Sequence, residues 1–376
     1  MDRRTDHESG EPVLNFSKGS KTKAKPKPYK EQIVTTALFT ALLLLAGCDK
    51  LSGAGDNINR GMDAIEQQEY ESALASFDSA VAADEDRRLA LRGKGIAYMG
   101  QGRYDEAIDA FDKALKSSNG IVKSVDYDIN YYLAMAEYKN GEPDKAMDVY
   151  NAILALDEDA FEAYYLRGCL ELQRQDKTAA MSDFDRAISL RDDDYDLYIS
   201  IYEALSSAGY DSDGKSYISR ALERGGKMTD YQSGLFSYYL GSYDDARKSL
   251  EKAREKDGSE ELILYLGRVY EALGDNGYAI GLFTEYLGEH PDSAAMYNEL
   301  GLIYLKQKDY NNALSSFENG RALNEPAYNQ NLMFNEVVAY EYLLNFQKAA
   351  ELMREYLDKY PADEAAEREY VFLSTR

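Results

Sequence analysis

Few side chains in this 376-residue chain are suited to catalytic chemistry. The two histidines are His7, near the start, and His290, in the turn His290-Pro291-Asp292-Ser293. A histidine metal cluster cannot be assembled from them, and any Ser-His or Cys-His pair would have to use His290. Asp211-x-Asp213-Gly214 looks superficially like a calcium loop. Setting Gly214 on the loop glycine, however, puts Gly209 at the first ligand position and Arg220 at the last, and neither residue can ligate. No glycine-rich phosphate loop stands in a strand-to-helix context. The chemistry therefore points away from an enzyme, with no metal and no cofactor expected. Of the two cysteines, Cys169 falls on an apolar helix and reads as a small packing residue. Cys48 is different. It follows Ile33 to Gly47, a run of 15 residues without charge, which is itself preceded by Lys18, Lys21, Lys23, Lys25, Lys27 and Lys30. A basic segment, a short apolar core and small residues before a cut site describe an export leader, and 15 residues fall short of the roughly 20 that a membrane-spanning helix needs.

The elements that carry everything after Cys48 are set by a period. Ala73, Ala107, Ala146, Ala180, Gly214, Ala246, Ala279, Ala313 and Ala349 recur at intervals of 32 to 39 residues. A second small residue usually sits twelve positions earlier, as in Gly61, Gly95, Ala134, Gly168, Gly234, Gly267 and Gly301, and an aromatic often four later, as in Phe77, Phe111, Tyr150, Phe184, Phe283 and Phe317. Two small residues so placed let a pair of helices approach closely while the large one fills the space between them. A third small position follows seven after the Ala, at Ala80, Ala114, Ala187, Ala221 and Ala253, where the next helix must pack. Each unit is then two helices with an apolar face that only a neighbour can cover.

Leu300-Gly301-x-x-Tyr304 with Ala313-x-x-x-Phe317 and Pro326, and Leu266-Gly267-x-x-Tyr270 with Ala279-x-x-x-Phe283 and Pro291, closely resemble the tetratricopeptide repeat pattern. The resemblance implies an all-α, right-handed solenoid of about nine helical hairpins, with repeats starting near residues 54, 88, 127, 161, 195, 227, 260, 294 and 330. Tyr202 in the fifth unit and Val337 in the ninth stand where a small residue is expected, which predicts wider or reoriented packing there. Five additional residues around Ser117-Ser118-Asn119-Gly120 predict a longer surface loop. After Pro361, a last helix with Ala366, Tyr370 and Leu373 on one side would cap the stack. Four segments result: 1–47 a leader, 48–55 a tether, 56–361 the solenoid and 362–376 the cap.

Leu45-Ala46-Gly47-Cys48 resembles the lipobox of bacterial lipoproteins, which implies that Cys48 receives diacylglycerol and becomes the new amino terminus. A plain secretory leader or a buried hairpin helix is the competing reading. Lipidation would anchor the chain at the extracytoplasmic face of a cell membrane, since two acyl chains suffice for stable attachment. The leader carries eight basic and five acidic residues, so the part beyond it holds 35 Lys or Arg against 62 Asp or Glu, a net of −27. Such a field disfavours nucleic acid.

What remains is surface. In the family that the repeats resemble, first-helix positions 2, 5, 9, 12 and 13 line a concave groove. By that analogy the protein- or peptide-binding groove is expected at Tyr131, Met135, Tyr138, Tyr165, Leu172, Tyr231, Leu235 and Tyr238, with Cys169 and Tyr239 beside them. Tyr and Met are good material for gripping a partner, although some of these rings could equally pack only against adjacent helices. The Lys and Asn pattern of chaperone-clamping repeats is absent. The reading is a membrane-anchored exported lipoprotein acting as a protein-binding scaffold. Its alternatives are an envelope assembly factor resembling the repeat lipoproteins that insert outer-membrane proteins or pilus secretins, and, less favoured, an accessory subunit or weak enzyme.

Overall fold

The computed structural model describes residues 55–117, 122–361 and 363–376, which form nineteen helices and, among the described residues, no strand. Cys48 and most of the inserted loop after the second hairpin lie outside the described residues. The first four hairpins pair α1 (Asp56–Glu66) with α2 (Tyr70–Ala82), α3 (Arg87–Gly100) with α4 (Tyr104–Lys116), α5 (Ser124–Lys139) with α6 (Pro143–Leu156), and α7 (Phe161–Gln173) with α8 (Lys177–Leu190). The next three pair α9 (Tyr195–Ser207) with α10 (Asp211–Arg224), α11 (Asp230–Tyr239) with α12 (Tyr243–Arg254), and α13 (Glu260–Ala272) with α14 (Asn276–Glu289). The last two pair α15 (Ala294–Lys306) with α16 (Tyr310–Ala322) and α17 (Pro326–Tyr342) with α18 (Phe346–Lys359), and α19 (Glu364–Leu373) packs on the end. The chain is thus an all-α solenoid.

The periodic small residues do the work their spacing requires. A Cβ added at Gly61, Gly95, Gly168, Gly267 or Gly301 would run into the ring of Phe77, Phe111, Phe184, Phe283 or Phe317 respectively, each ring being fully buried. In the sixth hairpin Leu250 replaces the aromatic against Gly234. The fifth hairpin does not open as expected. Tyr202 is buried there, and a Cβ at Gly214 would lie 3.0 Å from the Tyr202 carbonyl oxygen, so the second helix supplies the small residue and the close approach survives with its roles exchanged. Val337 in the ninth is completely buried opposite Ala349.

Every hairpin turn carries one residue with positive φ at the same repeat position: Gln68, Gly102, Gly141, Gln175, Gly209, Gly241, Gly274, Lys308 and Leu344. Glycine takes that conformation freely and ends the helix cleanly, so five of nine turns use it. Helix starts are closed by side chains of Asp86, Asp176, Asp194, Asp275, Ser293, Asp309, Asn345 and Asp363, each accepting a backbone N–H of the following turn.

Between hairpins the first helices form the inner row. α1 packs on α3, α3 on α5, α7 on α9, and so on to α17, and no comparable contacts join successive second helices among the described residues. A stack that is tighter along one row than along the other curves, with the tight row inside. At the far end Ala366 and Leu373 of α19 are buried with Met353 and Tyr356, and the Tyr356 hydroxyl donates to Asp363 at 2.7 Å.

Candidate functional site

The first helices present a continuous inner row, and its character changes along the rod. In the first two repeats it presents half-buried aliphatic side chains, Met62, Ile65, Leu89, Ile96 and Met99. The eighth and ninth do likewise with Leu302, Leu305 and Val338, joined there by the half-buried ring of Phe334. None of these nine was singled out from the sequence, because apolar residues on a repeat helix read first as core.

In the third and fourth repeats the expected groove residues are largely sealed. Tyr131, Met135, Tyr165 and Leu172 are only 4 to 7% exposed, and Leu235 in the sixth is 2% exposed. The Tyr131 ring lies 6.3 Å from that of Tyr150, and Tyr165 lies 5.9 Å from Phe184, so both rings fill the space inside their hairpins. Tyr138, Tyr231 and Tyr238 remain half-buried on the inner face. The Tyr138 hydroxyl accepts from Gln173 on the next first helix. Cys169 is wholly buried, and burial pushes its thiol up to about 12, which leaves it unreactive.

The fifth to seventh repeats hold a connected polar and aromatic cluster. Glu203 on α9 accepts the hydroxyls of Tyr239 on α11 and of Tyr265 on α13, the latter at 2.9 Å, and those two oxygens are 2.7 Å apart. Burial and the neighbouring carboxylate hold both phenols far above their usual range, so they stay protonated and keep donating. Tyr238 meets Tyr265 edge-on at 5.4 Å and Tyr239 at 5.6 Å, while Arg268 lies 5.5 Å from the Tyr265 ring and pairs with Glu299 at 2.6 Å. The bonds to Glu203 tie the fifth, sixth and seventh repeats together, and the Arg268–Glu299 pair carries the network on to the eighth.

The residues weighed for other chemistry are otherwise engaged. Asp211 takes hydroxyls from Tyr202 and Ser206 and pairs with Lys215 at 2.9 Å, which holds its carboxyl below the usual range, and Asp213 pairs with Lys177 at 2.6 Å. His290 is exposed beside the Tyr286 ring. No group of three or more His, Cys, Asp or Glu among the described residues could hold a metal ion, and no helix among them is long and apolar enough to cross a membrane.

Comparison with known proteins follows the same lines. Tetratricopeptide repeat models match residues 58–120, 98–168, 161–194, 237–288 and 264–322, together more than half of the chain. Among curated proteins the chain is similar to a CTR9 homolog of Arabidopsis thaliana, 23% identical over 262 residues covering 66% of this chain and 24% of that protein. It is also similar to a TPR repeat-containing protein of Methanocaldococcus jannaschii, 22% identical over 248 residues, with 62% and 42% covered. The chain thus spans well under half the length of these relatives. Among solved structures, a tetratricopeptide repeat protein from Parabacteroides merdae aligns with 76% of this chain and 97% of its own at 19% identity, with a TM-score of 0.44.

Proposed function

The chain belongs to the tetratricopeptide repeat family, and from that premise we propose that it is a lipid-anchored, exported scaffold that docks protein or peptide partners along its inner row and performs no catalysis of its own. The observation that carries the docking half is the inner face itself, where half-buried aliphatic and tyrosine side chains sit on successive first helices. Such side chains bind a partner through apolar contact without a deep pocket, and a stack of repeats supplies many of them in a row. The anchoring half is supported by the leader-like segment before Cys48, with acylation of its thiol placing the rod at the extracytoplasmic face of a cell membrane.

Two measurements test the two halves separately. Membrane fractionation of Cys48→Ala is expected to release the protein into the soluble fraction, and unchanged membrane retention overturns lipid anchoring. For docking, partners captured from detergent-solubilised native membranes are compared between the wild type and a folded variant with Ile96→Glu and Leu302→Glu. Loss of specific partners supports the inner row, and identical capture places binding elsewhere.

A further inference from the structure

In all nine hairpins the first-helix residue that faces the second helix of its own unit, from Gly61 through Val337, is buried. α19 continues that register. Ala366 and Leu373 stand 34 residues after Leu332 and Ala339 of α17, and all four are buried. The same step from Val337 leads to Val371, which is 64% exposed. α19 is therefore built as a tenth first helix, and among the described residues no second helix covers it. A groove of about 410 Å³ runs between it and α18, lined by Gln347, Ala350, Glu351 and Arg354 of α18 and by Tyr370 and Ser374 at the end of α19. A helix that only closes a stack turns a polar face outward, and an exposed valine at this position marks a contact instead.

We propose that the place is filled by α19 of a second copy of this chain, the two helices pairing antiparallel about a two-fold axis so that each stands where the other's second helix would lie. Antiparallel is the sense in which second helices lie on their first helices throughout the stack, and the outer face of α19 is complementary to itself in that sense. Glu367, Tyr370, Val371 and Ser374 lie on one face, because residues three and four apart are neighbours on a helix. Turned about an axis near Tyr370 and Val371, that face sets Val371 against Tyr370 of the second copy and Glu367 against the hydroxyl of its Ser374. Glu364 and Glu367, both in the first turn, come to lie toward Arg376 of the second copy, whereas parallel pairing would set like charges side by side. An isologous contact closes at two, so the rods join in pairs and not in filaments. A helix of 10 residues offers a small contact area, and association in the micromolar range is expected. The pairing needs neither the docking nor the anchoring reading.

Sedimentation velocity of the full chain in mild detergent, from about 1 to about 100 μM, is expected to show a monomer–dimer equilibrium. Val371→Glu buries two carboxylates at the axis and is expected to weaken the dimer about tenfold or more. Leu156→Glu is the control. Leu156 is 65% exposed on α6, so the same charge replaces a similar apolar side chain elsewhere, and dimerisation should persist. Circular dichroism checks the fold of both variants. In a Cys48→Ser background, copper phenanthroline as oxidant should link Val371→Cys chains into covalent dimers and leave Leu156→Cys chains single. A wild type that stays monomeric throughout the range overturns the pairing, as does growth beyond the dimer. Equal losses in the two glutamate variants, or a dimer that survives Val371→Glu because some other segment holds it, also overturn it.

Discussion

Phe77 of the first repeat and Gly93 of the second are locked together: the ring lies where a Cβ on residue 93 would have to go, while its other contact of the same kind is Gly61 in its own hairpin. A ring held by two glycines in two first helices has nowhere to move, and it is fully buried. Gly93→Ala therefore overpacks the first junction and is expected to cost about 1 to 3 kcal/mol, read as a lower urea midpoint. Gly281→Ala is the control. Its Cβ would meet nothing, it lies inside α14, and the substitution is expected to stabilise by about 0.5 to 1 kcal/mol through helix propensity. Equal effects of the two would show that the ring is not pinned.

Leu344 holds a φ of 58° at the turn of the last hairpin and is 67% exposed, so its side chain gains little from packing and strains the backbone. Glycine occupies the same turn position in five other repeats. Leu344→Gly is expected to raise the thermal midpoint, with a gain of about 1 kcal/mol offset in part by the freer unfolded chain. A lowered midpoint would mean that the leucine makes contacts worth more than the strain.

Glu137 sits at the repeat position that Tyr98, Tyr270, Tyr304 and Tyr340 occupy elsewhere, and it is buried. Desolvation pushes its carboxyl up to about 7, with Lys145 opposing and Glu142, Asp112 and Asp148 adding to the rise. The fold thus prefers the neutral form. Its stabilising contribution is full below the ordinary carboxylate pKa of about 4.5 and is lost as pH rises through 7. Glu137→Gln should remove that slope and be more stable than wild type by about 1 to 2 kcal/mol at pH 8, with the difference vanishing near pH 4.5. Urea midpoints across this range decide it, and a difference independent of pH would refute the argument.

Cys169 provides a probe of opening. With its thiol buried and pushed up to about 12, labelling by a maleimide in native buffer should be about as slow as unfolding of the fourth repeat, and mild urea should accelerate it steeply. Prompt labelling without urea would contradict the packing described.

The register of nine hairpins was legible because Ala, Gly and Phe at fixed separations can satisfy close helix approach in only one way. The binding face was not. Repeat position tells which side of a helix a residue occupies, but whether Tyr165 meets solvent or Phe184 depends on how tightly one hairpin sits on the next, which no single position encodes. The exchange at Tyr202 and Gly214 escaped for a related reason: two small residues are needed only in sum across the contact, and either helix can supply the one that matters.

The bond from Tyr265 to Glu203 reaches past the intervening sixth repeat. Elsewhere among the described residues packing joins each hairpin chiefly to its immediate neighbours, so a whole unit could be duplicated or excised and the broken ends rejoined. Removing the sixth would strand Glu203 from one hydroxyl and misplace the other. Repeats five to seven are therefore bonded as one block, and changes in the length of this rod are expected to be tolerated only on either side of it.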